Sequence, residues 1–174
     1  GHRNTTDFSW HPTTGEMWAT EIGPMGGDEV NILRAGSNYG WTLVSLGKLY
    51  SNRSEVSEQH WYREGMEVPF MFWTPSISPN SLVWYTGDKL PPWRGNLFVG
   101  ALNGQTLLRI AFDQPGPQTE RRDSMFMSLG TRWRHVAQSP DGYLYAVTER
   151  RTLGTPPDPN DATSGVVYRI EPAD

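Results

Sequence analysis

Nine consecutive residues, Gly23-Pro24-Met25-Gly26-Gly27-Asp28-Glu29-Val30-Asn31, join a Gly/Pro run to two adjacent carboxylates. Glycine admits positive φ and close backbone approach, and Pro24, lacking an amide, has only a carbonyl to offer. Carbonyl and carboxylate oxygens together are the ligand set of calcium. The same residues also write a tight acidic turn between two strands, and spacing alone favours the turn. Farther along, Arg132 and Arg134 flank Trp133. In an extended strand both guanidinium groups leave one face, where they suit a carboxylate or phosphate ligand. Pairing with Glu149 or Asp141 is the plainer alternative. Arg3-Asn4 is a second polar pair just ahead of a strand pattern. The histidines, His2, His11, His60 and His135, are not spaced as metal pairs on one element. No serine sits in a nucleophile elbow and no Gly-rich run opens a helix, which disfavours hydrolase and dinucleotide chemistry.

The elements that must carry these residues are short strands. The chain has 174 residues with 18 glycines, 14 prolines and 8 tryptophans, and almost no segment keeps a helical period. Three segments repeat a turn, an apolar strand and a second strand: Trp10–Glu21 with Glu29–Leu33, Trp84–Ala101 with Thr106–Phe112, and Val136–Glu149 with Gly165–Ile170. Each reads as a small antiparallel sheet, and such units arranged radially make a β-propeller. The expected fold class is all-β, with about three blades on this chain. Residues 40–79 form an irregular, aromatic-rich insertion and 153–164 an exposed loop. Three blades are about half a ring, so the reading is the C-terminal part of a longer single domain, or copies that associate to close the ring. The formal net charge of −4 gives a nucleic acid no electrostatic support. Cysteine is absent, and no apolar run is long enough to span a bilayer.

Taken in order, Gly1-His2-Arg3-Asn4, Trp18-Ala19-Thr20-Glu21-Ile22-Gly23-Pro24, Gly26-Gly27-Asp28-Glu29 and Asn38-Tyr39-Gly40-Trp41 resemble the soluble glucose/sorbosone dehydrogenases. So do Phe72-Trp73-Thr74-Pro75-Ser76-Ile77-Ser78-Pro79, Trp93–Leu102, Arg132-Trp133-Arg134 and Ser139-Pro140-Asp141-Gly142. The resemblance covers nearly the whole chain. It implies a six-bladed propeller that oxidises aldose sugars with pyrroloquinoline quinone (PQQ) and calcium, passes electrons to an unidentified acceptor, works in the periplasm or outside the cell, and could pair as a homodimer. It also implies that the histidine taking the sugar's hydroxyl proton lies in an N-terminal half that this sequence lacks; His2 matches a motif histidine that is not that base. By position, Arg3 is implied as catalytic and cofactor-binding, and Asn4, Trp73, Arg132 and Arg134 as cofactor-binding. Asp28 is implied as an active-site carboxylate, Phe70 and Trp73 as substrate-binding, Gly23 and Pro24 as calcium ligands through their carbonyls, and Glu29 and Tyr39 as a second calcium site. Two positions depart from the pattern: Ile22 replaces a polar residue, and Asn103 stands where several relatives carry a cofactor-binding lysine.

Overall fold

A computed structural model describes residues 1–58, 62–112, 120–149 and 165–173. The loop expected at 153–164 lies outside the described residues. The chain divides into two compact units, Gly1–Pro79 and Asn80–Asp174.

The first unit is built on one antiparallel sheet, ordered β1(Thr5–Trp10), β2(Met17–Glu21), β3(Asp28–Leu33), β4(Met71–Trp73). The register pairs Glu21 with Glu29 across β2 and β3 and Asp28 with Trp73 across β3 and β4, so the chemistry-bearing positions gather at one end of the sheet. Central strand β2 is buried from Trp18 to Glu21, whereas edge strand β1 leaves Phe8 and Trp10 half in solvent. Strand β4 lies inside the stretch expected to be irregular. At three residues it is too short to show a period, and Phe70 anchors it through its amide to Val30 O, 2.9 Å. That stretch also holds a hairpin closed by a Lys48–Glu55 bridge.

The second unit holds two sheets, β5(Pro79–Trp84) to β8(Glu120–Met125) in sequence order with β6(Leu97–Ala101) and β7(Thr106–Phe112) between, and β9(Arg132–Gln138), β10(Leu144–Glu149), β11(Val167–Ile170). Their core is Tyr85, Phe98, Leu107, Trp133, Val136, Leu144, Ala146 and Ile170. Strand β6 reads Leu-Phe-Val-Gly-Ala and is buried throughout, as an uninterrupted apolar run should be. At Gly100 the two sheets approach closely. A Cβ there would lie 3.0 Å from Trp133 O and 2.8 Å from Ser81 Oγ, which itself accepts the Val136 amide at 3.1 Å. Strand β8, Glu-Arg-Arg-Asp-Ser-Met, is an edge strand with no apolar face, so hydrophobic patterning did not reveal it.

Candidate functional site

Six residues, Ile22 to Gly27, connect β2 to β3, and Met25, Gly26 and Gly27 all take positive φ (55°, 144° and 66°). The loop is tied by Asp28, which is fully buried. Its Oδ1 accepts Gly23 N at 2.9 Å and Ser76 Oγ at 3.0 Å; its Oδ2 accepts Ser76 Oγ at 2.8 Å and the amides of Ile77 and Ser78 at 2.7 Å each. Burial raises the Asp28 carboxyl above its ordinary range, opposed by these hydrogen bonds from Ser76, Ser78, Gly23 and Ile77. Every donor that reaches Asp28 belongs to the scaffold, and its oxygens hold the Gly23 turn to the Ser76–Ser78 segment. The result brings two main-chain oxygens onto Gly23: a Cβ there would sit 2.2 Å from Gly26 O and 2.5 Å from Gly27 O. Pro24 O accepts Lys48 N at 2.8 Å and keeps its second lone pair.

Arg3 reaches the same loop from the strand entrance. Its Nη1 donates to Ile22 O at 2.6 Å, its amide donates to Glu21 Oε1, and its guanidinium carbon lies 5.6 Å from the centre of the Trp41 ring. Glu21 also holds His2 Nδ1 at 2.7 Å, and the His2 ring stacks on Tyr39 at 4.6 Å. His2 is therefore a structural group, as is His11, whose ring caps the Thr13 and Thr14 amides. Asn4 is exposed, and its carbonyl accepts the Ile22 amide at 3.0 Å.

Beneath Arg3 lies a cavity of about 10 Å³, room for one water or one ion, lined by Glu21, Glu29, Gly23, Gly27, Tyr39 and Ser45 among others. Among the described residues Glu29 faces one side-chain donor, Asn31 Nδ2 at 3.0 Å, and burial together with the nearby Glu21 and Asp28 charges pushes it up to about 7. Asn31 Oδ1, buried in the same strand, has no hydrogen-bond partner among the described residues. The Tyr39 hydroxyl is engaged twice, donating to Ile32 O at 2.8 Å and accepting Arg34 N at 2.6 Å. Among the described residues no three His, Cys, Asp or Glu side chains converge on one point. Any cation here must lean on main-chain oxygens. The donor set fits calcium: hard oxygens only, one buried carboxylate short of counter-charge, and a space of one-ion size.

Trp73 and Phe70 flank the end of the sheet, half-buried; Trp73 O accepts the Gly27 amide at 2.9 Å, and Phe70 packs on Trp18 at 4.5 Å. Arg132 and Arg134 lie in the second unit on β9. As the period of two predicts, both leave the face of Glu149, which sits 3.3 Å from Arg132 Nε and 2.8 Å from Arg134 Nε. Two guanidinium groups on one carboxylate leave a net charge of about +1 at this face, a fit to an added anion. Asn103 is exposed in the β6–β7 turn. Absent from the sequence reading is the clamp role of Ser76, Ile77 and Ser78; its only signal was the Ser/Pro punctuation of Thr74–Pro79.

The sequence profile of the Glucose / Sorbosone dehydrogenase family matches residues 1–154. Among curated proteins, the chain is 39% identical over 150 residues to the uncharacterized protein slr1608 of Synechocystis, covering 86% of this chain and 35% of that protein. It is 31% identical over 172 residues to aldose sugar dehydrogenase YliI of Escherichia coli, covering 99% and 43%, and 26% identical to quinoprotein glucose dehydrogenase B of Acinetobacter calcoaceticus, covering 84% and 41%. A crystal structure of a glucose dehydrogenase superposes with a TM-score of 0.84 at 32% identity, covering 99% of this chain and 46% of its own. The chain thus spans less than half the length of the relatives it matches, and its three sheets are blades of a β-propeller. Motif order, fold and profile agree: the chain belongs to the glucose/sorbosone dehydrogenase family.

Proposed function

We propose that the complete protein oxidises the anomeric carbon of aldose sugars to lactones, using PQQ and calcium, and that this chain carries part of the cofactor site. The observation that carries the proposal is the Gly23 turn, where main-chain oxygens converge beside the Arg3 guanidinium under the tie of Asp28. When bound, PQQ would supply the hydride acceptor for the anomeric C–H and calcium a Lewis acid. Gly23 and Pro24 would hold that calcium through their carbonyls, with Lys48 N donating to the Pro24 oxygen. Arg3, steered by Ile22 O, offers positive charge where an oxyanion develops. Arg132 and Arg134 bind carboxylates, with Glu149 setting their spacing, and Asn4 stands beside Arg3 at the same edge. Trp73 and Phe70 wall the sugar pocket. Asp28 acts as a positioning residue. Glu29, with the carbonyl of Tyr39, would hold a second calcium in the small cavity that both line. The base that takes the sugar's hydroxyl proton comes from outside these residues. Periplasmic or secreted location, a separate electron acceptor and a homodimer belong to the proposal through the motif resemblance alone.

A non-catalytic sugar- or protein-binding propeller is the second reading, favoured by Ile22 and Asn103 at the two departing positions. Dye reduction by the complete protein with PQQ, calcium and a panel of aldoses separates the two. Activity that falls at least a hundredfold in Arg3→Ala supports the first, and no dye reduction with any aldose refutes it.

A further inference from the structure

The second unit holds a cavity of about 170 Å³ that the dehydrogenase reading does not use. Its walls come from three places in the chain: Phe126 and Leu129 from the connection between β8 and β9, Trp133 from β9, and Tyr168 and Ile170 from β11. The connection is one 3-10 turn, Met127–Leu129, entered by Phe126 at φ 59° and closed by Gly130 N donating to Met127 O at 3.1 Å. Phe126 thereby packs on Trp133, with ring centres 5.5 Å apart, and Tyr168 meets the same indole at 6.0 Å. Phe126 and Leu129 are 38% and 43% exposed, so the rim is apolar and open to solvent.

Two observations define what would fill this space. Trp133 is 1% exposed, and among the described residues its indole N–H meets no hydrogen-bond acceptor. A buried donor left unmet is rare, and the indole can only donate. The charged residues of the wall are, by contrast, already matched: Arg169 pairs with Glu171, and its guanidinium lies over the Tyr143 ring at 5.2 Å. The occupant therefore needs no charge but must bring an acceptor. Its size is that of one ring, since an apolar cavity of about 150 Å³ takes one benzene.

We propose that this cavity is a binding site for a neutral, single-ring aromatic compound carrying a carbonyl, an aryl ketone or a quinone, whose oxygen accepts the Trp133 indole N–H. The aromatic walls select a flat ring and the indole selects the acceptor. The test titrates acetophenone and its carbonyl-free isostere cumene into the complete protein, without PQQ or sugar, by calorimetry and ligand-observed NMR. Wild type, Trp133→Phe and Leu129→Trp are compared. Acetophenone binds the wild type about tenfold more tightly than cumene, the worth of one hydrogen bond. Trp133→Phe keeps a ring in the wall, removes the donor and brings the two ligands level. Leu129→Trp, at an exposed position, fills the cavity and removes binding of both, which keeps the proposal testable should Trp133→Phe fail to fold. Equal affinities for the two ligands in the wild type, no acetophenone binding to the wild type, or acetophenone binding unchanged in Leu129→Trp overturns the proposal. None of these readouts uses turnover, so failure of the dehydrogenase reading leaves the test intact.

Discussion

Replacing Asp28 with Asn distinguishes a positioning carboxylate from one that touches substrate. The wild-type oxygens meet four donors at 2.7–3.0 Å: Gly23 N, Ile77 N, Ser78 N and the Ser76 hydroxyl, whose one proton is shared between Oδ1 and Oδ2. An amide keeps one acceptor oxygen. Turned one way, its NH2 opposes the Ile77 and Ser78 amides; turned the other, it opposes the Gly23 amide. Each hydrogen bond to a charged group contributes about 1.5–3 kcal/mol, and a buried donor left unmet costs about 1–3 kcal/mol. Asn recovers part of the burial penalty that raises the Asp28 carboxyl, so the net loss is about 2–4 kcal/mol. For a complete protein more than twice the length of this chain that corresponds to a fall in Tm of roughly 2–5 °C, read by calorimetry. Calcium affinity falls in step, because Gly23 is no longer tied to the Ser76–Ser78 segment. A variant with wild-type Tm and calcium affinity but lost kcat would refute this reasoning and make Asp28 a catalytic group.

Further outcomes follow from the same geometry. Gly23→Ala places a methyl 2.2 Å from Gly26 O, so the loop must open; calcium titration should show binding weakened at least a hundredfold, and an unchanged affinity contradicts the carbonyl site. Arg134→Ala removes one charge from the Glu149-bridged pair and should weaken PQQ binding by about tenfold or more, measured by equilibrium titration without sugar. Glu29, pushed up to about 7 from 4.5, makes the calcium-free protein less stable as pH rises. Its folded-state value is raised, so the stability it gives is complete below about pH 4.5 and lost as pH climbs through 7. Thermal melts in EDTA should therefore fall from pH 5 to pH 7.5, calcium should restore the loss at pH 7.5, and Glu29→Gln should flatten both responses. The 174-residue chain alone should reduce no dye even with PQQ and calcium supplied; measurable turnover shows that its own residues suffice.

The strands that the sequence revealed are those with an apolar run, such as Leu97–Ala101, or with alternation, such as Leu144–Thr148. Charged edge strand β8 and three-residue β4 were hidden, because one has no apolar face and the other no room for a period. The shared face of Arg132 and Arg134 was legible since a period of two needs only local spacing, and Glu149 as their partner was one of two candidates already in view. The tie on Asp28 was not legible. Its donors Ser76, Ile77 and Ser78 lie 48 to 50 residues away, and only the folded register of β3 against β4 brings them together. Gly23-Pro24 lies in a turn, as spacing alone favoured, and within that turn the Gly26 and Gly27 carbonyls close on Gly23.

Direct titration of the complete protein with PQQ, with and without calcium, tests the central claim. The predicted result is saturable, calcium-dependent binding of one quinone per chain, followed by a sugar-dependent change in its absorbance. Failure to bind PQQ at any calcium concentration contradicts it.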